Sequence, residues 1–365
     1  MENRRFMNRN IVRIITVFVV LTLAATLSQA QEKTVEQVKK NIQVLKGMPA
    51  SQLSMVMDMF ASSLGVRCNH CHVNGAFDSD DKKEKKTARE MIQMVMNVNA
   101  TTFHGEKRVT CYTCHLGTTD PARTVSLPVM MAAHREDEEE KRPELPTVQA
   151  VLAKYENALG GADAIAKIQS RHTKVVSVDS RGDEHPAEVY QKGPDKITET
   201  MPMEDGSSFS HGYDGTKGWM ASKRGTREVP AMEVVMMQRE APLFPLTRLK
   251  MLADSAGVHR IDTVNGSQAY AMFIRNGTGQ RERYYFDTAT GLLLRRVVMT
   301  PTMMGDYPER TDYGDYRTVD GVKVPYLMHN CSADAQDNST DKVTLLEQNV
   351  SVDDSKFSMP ADNKK

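Results

Sequence analysis

The spacing of apolar residues divides the chain into a helical first part and a β-rich second part. Between residues 31 and 119, apolar side chains recur three or four positions apart, as they do on one face of a helix. One helix is expected from about Ala50 until Gly65, because glycine commonly ends helices. Its apolar stripe consists of Leu53, Met57, Phe60 and Leu64.

Two further stripes predict helices before and after this one. The first covers Val35 to Leu45 and is ended by the segment Gly47–Pro49. The second starts at the capping-box sequence Thr87–Glu90, after a charged stretch, Asp78–Lys86, that is expected to be a solvated loop or a helix start. Its apolar stripe consists of Met91, Met94, Val95 and Val98.

The pattern changes after residue 119. Residues 120–146 contain four prolines and the acidic run Glu136–Glu140, which predicts a linker. One amphipathic helix, Val148–Leu159, follows and ends at Gly160. From about Arg171 short alternating runs are separated by turn signals, of which Asp320-Gly321 is the clearest. The other turn signals lie in residues 213–219 and 284–292, and a helical interruption is expected near residues 233–253.

These patterns predict an α+β protein. A small α-helical module at residues 31–119 is followed by the linker at 120–146 and by a larger antiparallel β domain at 147–365. The β domain is expected to be a curved sheet or half-barrel with one or two helices.

The first 30 residues carry the features of a secretory signal peptide. Four arginines precede an apolar run from Ile14 to Ala25, and Ser28–Ala30 is a small-residue cleavage site. The run is short for a membrane span, although an uncleaved anchor helix from Ile11 to Leu27 is the alternative. The sequence therefore predicts an exported, periplasmic protein, with membrane association as a further option.

The charge balance argues against a nucleic-acid partner. The chain has 47 Lys and Arg residues against 47 Asp and Glu residues. Removal of residues 1–30 would leave 43 basic and 46 acidic residues, a net charge of −3. A chain without a net positive field lacks the electrostatic attraction that nucleic acids require.

Four of the five cysteines belong to two complete Cys-x-x-Cys-His motifs, Cys68–His72 and Cys111–His115. This is the attachment pattern of c-type haem: two thiols on one turn form thioethers, and the next residue places an imidazole on the iron. The motifs predict two haems, with His72 and His115 as proximal iron ligands. The attachment thiols are Cys68, Cys71, Cys111 and Cys114. Zinc bound by the four thiolates, or two disulfides, would leave both histidines without a role.

An electron-transfer haem also needs a distal iron ligand, and methionine is one that raises the reduction potential. Met57 lies on the apolar stripe of its helix, unlike Met55 and Met59. For the second haem, Met91 and Met94 both lie on a stripe. Other options remain open here: His104 as the second distal ligand, or methionines that only fill the core.

With these residues in view, the segment from about Val38 to Gly117 resembles the photosynthetic reaction-centre cytochrome c subunit family. The resemblance rests on residues 48–53, 64–73, 87–94 and 109–115. It implies Met57 as the distal ligand of the first haem, Met94 as that of the second, and a role in passing electrons. The family's subunit carries four haems, is often lipid-anchored and lacks a long fused β domain, whereas this chain has two motifs, no anchor cysteine after the cleavage site and a large β half.

The β half resembles the lipoprotein-sorting and lipoprotein-carrier folds, mainly in residues 212–219 and 286–292. This resemblance implies an apolar cavity and an apolar ligand or lipid. Met232, Met236 and Met237 are interpreted as core or cavity lining, and Cys331 as a buried thiol in a strand. The histidines of this half are scattered, and no catalytic triad is visible.

Together these features predict a periplasmic dihaem c-type cytochrome that carries electrons by Fe(III)/Fe(II) cycling, and not an enzyme. Its partners would be redox proteins, membrane-bound ones included. Two alternatives stay open: a dihaem peroxidase-type enzyme, which needs one haem with a free iron position, and a lipid- or ligand-binding β protein with a haem redox-sensor module.

Overall fold

The computed structural model describes residues 32–124, 144–275, 279–334 and 338–361. The expected signal peptide, most of the expected linker and His134 lie outside the described residues. Within these ranges no helix combines the length and the apolar character that crossing a bilayer requires.

The segment that ends at Ala50 is a compact unit by itself. Its described residues, 32–50, contain one short helix, α1 (Val35–Val38), so the expectation of a helix as far as Leu45 is wrong. The backbone turns back instead, because the amide of Val35 donates to the carbonyl of Met48 at 2.8 Å and both side chains are fully buried. Asn41 and Leu45 have positive φ angles, which a right-handed helix excludes.

Residues from Ser51 onward form the second unit. Its helical part consists of α2 (Leu53–Leu64), α3 (Lys83–Thr101) and α4 (Cys111–His115). Gly65 ends α2 with a φ of 64°, as expected. Helix α3 begins at Lys83, so Thr87–Glu90 lies inside the helix and the expected cap there is wrong. Lysine and glutamate are good helix formers, so they extend the helix towards its N-terminus.

The β-rich part begins with two helices, α5 (Val148–Leu159) and α6 (Ala162–Ala166). The bounds of α5 agree with the sequence pattern. Two more helices, α7 (Ala231–Glu240) and α8 (Pro245–Met251), interrupt the strands where one interruption was expected.

The described strands form one antiparallel 13-stranded sheet. They are β1 Ser170–Asp179, β2 Glu184–Lys192, β3 Lys196–Pro202, β4 Ser208–Tyr213, β5 Gly218–Ser222, β6 Gly225–Glu228, β7 Ala256–Val264, β8 Ser267–Arg275, β9 Arg281–Asp287, β10 Leu293–Thr302, β11 Gly305–Val319, β12 Val322–Ser332 and β13 Ser339–Gln348. The order across the sheet is β6-β5-β4-β3-β2-β1-β13-β12-β11-β10-β9-β8-β7. Every pair is a hairpin except β1–β13, which joins the two halves.

All three turn signals fall between paired strands. Asp320 and Gly321, with φ angles of 48° and 83°, connect β11 to β12. Positive φ at both central residues matches the right-handed twist of the flanking strands. The other two signals connect β4 to β5 and β9 to β10.

The main hydrophobic core lies between one face of the sheet and helices α5 and α8. Tyr155 of α5 packs on Phe286 of β9 with 5.1 Å between ring centroids. Leu246 and Leu249 of α8 complete the same core. The predicted fold class is confirmed: a small helical region precedes a large antiparallel sheet.

Candidate functional site

The two Cys-x-x-Cys-His motifs begin short helical turns. Cys68–His70 forms a 3₁₀ turn, and the second motif forms α4. Thr110 caps α4, since its backbone amide donates to the Thr113 hydroxyl at 3.0 Å. Each turn brings its two cysteines and its histidine to the same side of the chain, as haem attachment requires.

The thiols of both motifs are accessible and unpaired. Cys68 and Cys114 are exposed, Cys71 and Cys111 are half-buried, and the structure contains no disulfide among the described residues. Burial raises the pKa of the Cys71 and Cys111 thiols. The described ranges contain no cluster of three or more His, Cys, Asp and Glu side chains that could hold a metal ion.

The two motif histidines have the same hydrogen-bonding arrangement. Nδ1 of His72 lies 3.0 Å from the carbonyl oxygen of Phe77, and Nδ1 of His115 lies 3.0 Å from that of Thr118. A carbonyl can only accept, so each Nδ1 carries the proton and donates it. The lone pair of Nε2 is therefore free for iron, and the ring orientation is fixed.

A direct backbone contact brings the two motifs together. The amide of Gly117, two residues after His115, donates to the carbonyl of Ser63 at 2.9 Å. A Cβ atom on Gly65 would lie 2.1 Å from the Gly117 carbonyl oxygen. The end of α2, which leads into the first motif, thus packs on the loop that follows the second.

Helix α3 carries two buried polar side chains that sequence reasoning missed. Lys85 is 8% exposed, and its ammonium donates to the carbonyls of Phe77 at 2.8 Å and Ser79 at 2.7 Å. Asn99, also 8% exposed, pairs with the backbone of Val109. The charged stretch contains the start of a helix, which was one of its two expected structures, but Lys85 within it is buried and not solvated. The seven-residue spacing from Lys85 to the buried Ile92 and on to Asn99 is the signal that could have revealed them.

The three methionines of α2 face different surroundings. Met57 is half-buried on the stripe with Leu53 and Phe60. Met59 lies against the turn between β10 and β11: its sulfur is 3.8 Å from the Thr302 hydroxyl, and a Cβ on Gly305 would lie 3.3 Å from its methyl carbon.

The same β10–β11 turn is anchored to the helical part by two hydrogen bonds. The amide of Met303 donates to the Gln52 side-chain oxygen at 2.8 Å, and the Lys107 ammonium donates to the Thr302 carbonyl. These contacts hold Met59 on the side of α2 that faces the sheet, whereas Met57 lies on the expected apolar stripe of the helix.

The buried residues of α3 are Lys85, Ile92, Val95 and Asn99, so the expected stripe through Met91 and Met94 is not the buried face of the helix. Ile92 and Val95 are buried, whereas Met91 is 37% exposed and Met94 is 47% exposed. His104 is exposed in the loop after α3.

Large exposed apolar side chains surround the two motifs. Phe77 follows the first motif, while Tyr112 lies within the second and Leu116 directly after it, and each is more than half exposed. Large apolar side chains that are exposed beside an attachment motif are available to contact a bound haem. Each motif offers two free thiols and an imidazole whose Nε2 is free, so the residues present fit a haem at each motif.

The β-rich part shows no comparable arrangement among its described residues. Cys331 is half-buried on β12, less than expected, and its sulfur lies 3.2 Å from a guanidinium nitrogen of Arg310. Met237 of α7 packs on Ile197 and Tyr213 of the sheet, which agrees with a packing role.

Comparison with known proteins finds relatives of the first part of the chain. Residues 4–153 match the photosynthetic reaction centre cytochrome C subunit family. The photosynthetic reaction center cytochrome c subunit of Thermochromatium tepidum is 35% identical over 89 residues, which are 23% of this chain and 22% of that protein. Cytochrome c-554 of Chloroflexus aurantiacus is 39% identical over 82 residues, 20% of each chain. The chain thus spans about a fifth of the length of these curated relatives.

A solved structure aligns with the other part. The LolA superfamily protein of Nitrosomonas europaea aligns with a TM-score of 0.42 and 10% identity, covering 59% of this chain and 98% of that chain. The match to the cytochrome family confirms the predicted resemblance and implies covalently bound haem.

Proposed function

We propose that this protein is an exported electron-transfer cytochrome with two c-type haems. Haem would be attached through Cys68 and Cys71 at the first motif and through Cys111 and Cys114 at the second. The proposed organisation is a signal peptide at 1–30, the dihaem module at 31–119, a linker at 120–146 and the β domain at 147–365.

One observation carries this proposal: both motif histidines donate from Nδ1 to a backbone carbonyl 3.0 Å away. A histidine that ligates iron needs its other nitrogen held by such an acceptor, because the bond fixes the tautomer and the ring plane. A structural histidine has no reason to repeat this arrangement twice, each time directly after a Cys-x-x-Cys pair.

Met57 is the proposed distal ligand at the first motif, in line with the family resemblance and with its place on the expected apolar stripe. Met59 is engaged by the β10–β11 turn, whereas Met55 and Met57 are both half-buried. At the second motif the exposed Met94 is the proposed ligand, in line with the family resemblance.

When bound, each haem supplies an iron that accepts and releases one electron. His72 and His115 would hold the iron, and the apolar side chains around the motifs would set the polarity of its surroundings. The Ser63–Gly117 contact keeps the two attachment segments adjacent, which favours electron transfer between them. Partners would be redox proteins, some of them membrane-bound. The β domain would dock to a partner or bind an apolar ligand.

The first test asks whether haem is bound covalently. The full chain is produced with a c-type haem maturation system, and denatured protein is examined by haem stain and by absorption of the reduced pyridine complex. We expect two haems per chain, and one haem in each of the double variants Cys68→Ala/Cys71→Ala and Cys111→Ala/Cys114→Ala. Absence of covalent haem from the wild-type chain would overturn the proposal.

The second test separates a carrier from a peroxidase-type enzyme. Met57→Ala and Met94→Ala should each abolish half of the methionine–iron charge-transfer absorption, while Met59→Ala should leave it in place. A wild-type spectrum with one five-coordinate haem, together with peroxide turnover, would favour the enzyme instead.

A third measurement addresses the β domain. Organic extraction of the purified full chain followed by mass spectrometry should recover lipid or another apolar molecule if this domain binds one. Extracts that match a buffer blank would leave docking to a redox partner as its role.

A further inference from the structure

The two motif histidines differ in what else binds their carbonyl partners. The Phe77 carbonyl, which accepts from His72, also accepts from the Lys85 ammonium at 2.8 Å. The Thr118 carbonyl accepts from His115, and in the described part of the chain no ammonium or guanidinium group donates to it. The two histidines therefore have the same hydrogen-bond geometry, but only the carbonyl that accepts from His72 also accepts from a cation.

Lys85 is held in place by its surroundings. Its side chain is almost completely buried, and its ammonium also donates to the Ser79 carbonyl at 2.7 Å. The Asp80 carboxylate lies 3.4 Å from Lys85 and 2.9 Å from the Arg89 guanidinium. The two cations share the Asp80 carboxylate, and the Lys85 ammonium, whose other two partners are neutral carbonyls, lies beside the loop that holds His72.

The charge of Lys85 should shift the reduction potential of a haem bound at His72 in one direction. A carbonyl that already accepts from an ammonium is a weaker acceptor, so the imidazole keeps less electron density for the iron. A nearby buried cation also disfavours the more positive ferric state, and burial reduces the screening of that interaction. Both effects favour the ferrous state and raise the reduction potential.

We propose that Lys85 is a positioning residue that makes the two haem sites unequal, with the higher reduction potential at the His72 site. Electrons would then move from the haem at His115 to the haem at His72, which would hand them to the acceptor. This inference rests on the proposed dihaem function and adds the direction of transfer.

The test is a potentiometric titration of the full chain with both haems attached, followed by absorption. The single-haem variants Cys68→Ala/Cys71→Ala and Cys111→Ala/Cys114→Ala assign each step to its motif. We expect the first-motif step at the higher potential. Lys85→Met should shift that step downward, leave the second-motif step in place and so narrow the separation between them.

Two further variants separate charge from structural damage. Asp80→Asn removes the neighbouring carboxylate, so it should shift the first-motif step upward, opposite to Lys85→Met. General loosening of the loop would move both variants in the same direction. Lys85→Arg should retain the wild-type order of steps, and Lys86→Met, at an exposed lysine next in the chain, is the matched control.

The outcomes are distinguishable from those of the proposed function. Missing covalent haem would contradict the dihaem function itself. Two bound haems with a lower first-motif step, or with Lys85→Met and Asp80→Asn shifting the same way, would overturn the role of Lys85 and leave the dihaem function standing. If Lys85→Met loses its first haem, Asp80→Asn and Lys85→Arg still decide by the direction of their shifts.

Discussion

The side chain of Asn99 is paired with both backbone groups of Val109. Its amide nitrogen donates to the Val109 carbonyl at 2.7 Å, and its oxygen accepts from the Val109 amide at 2.9 Å. The side chain thereby acts as a strand partner would, and it fixes the segment two residues before Cys111. The end of α3 is thus tied to the start of the second motif.

The first prediction concerns this pairing. Asn99→Ala leaves both half-buried backbone groups of Val109 without this partner and should destabilise the protein by about 1–3 kcal/mol. Denaturant unfolding of the full chain measures the loss, and the haem stain should show lower loading of the second motif. Asn97→Ala, at an exposed residue of the same helix, is the control. Equal effects of the two substitutions would contradict the prediction.

The second prediction concerns the contact between the motifs. Gly65 has a φ of 64°, and a Cβ there would meet the Gly117 carbonyl oxygen at 2.1 Å. Gly65→Ala must therefore separate the two segments, in addition to the cost of about 1–2 kcal/mol for a left-handed residue. Gly105→Ala isolates that conformational cost, because Gly105 has a φ of 88° and nothing within 4 Å of its Cβ position.

Thermal unfolding of both variants gives the comparison. Gly65→Ala should unfold at a clearly lower temperature than Gly105→Ala. Indistinguishable midpoints would show that the Gly65–Gly117 approach is not maintained in solution.

The third prediction concerns the single tryptophan. The indole nitrogen of Trp219 donates to the Phe357 carbonyl at 2.6 Å, and the Phe357 side chain is fully buried. Phe357→Ala should cost about 3–5 kcal/mol. The emission of Trp219 should shift to the red as water reaches it. Met359→Ala, at an exposed residue, should leave the Trp219 emission and the stability unchanged. An unshifted emission spectrum in Phe357→Ala would contradict the contact between Trp219 and the segment around Phe357.

The fourth prediction concerns pH. Burial, with further contributions from Asp341 and Glu240, raises the pKa of Glu199 from 4.5 to about 7. The unfolded carboxyl ionises first as pH rises, so the stability that protonated Glu199 contributes is present below pH 4.5 and lost up to about pH 7. The loss is up to about 3 kcal/mol. Glu199→Gln should not show this loss of stability as pH rises.

Denaturant unfolding at pH 5 and pH 8 measures this difference. The variant should gain stability relative to the wild type at pH 8, and Glu184→Gln, on an exposed part of β2, should follow the wild type. His211 lies 3.5 Å from Glu199, and burial lowers the pKa of His211. The contribution of His211 to stability is therefore lost as pH falls, whereas that of Glu199 is lost as pH rises. A wild-type curve parallel to that of Glu199→Gln would count against a buried, protonated Glu199.

Local signals in the sequence were sufficient for many elements. The amphipathic pattern of Val148–Leu159, the glycine that ends α2 and the Asp320-Gly321 turn all concern residues a few positions apart, whose preferences act before any tertiary contact forms. The expected helix beyond Val38 was wrong because the chain folds back after it: Asn41 and Leu45 have positive φ angles, and Met48 returns to Val35, where both side chains are fully buried. A periodic pattern within the segment cannot show such a return of the chain.

The candidate site divides in the same way. The cysteines and histidines of each motif are adjacent in the chain, so the amino-acid sequence alone predicts which residues would hold haem. The position of Met59 under the β10–β11 turn, the contact of Gly117 with Ser63 and the burial of Lys85 beside the carbonyl that holds His72 became visible only in the folded chain. These relations depend on segments far apart in the chain meeting in one packed interior, where a polar group stays buried only if it finds a partner.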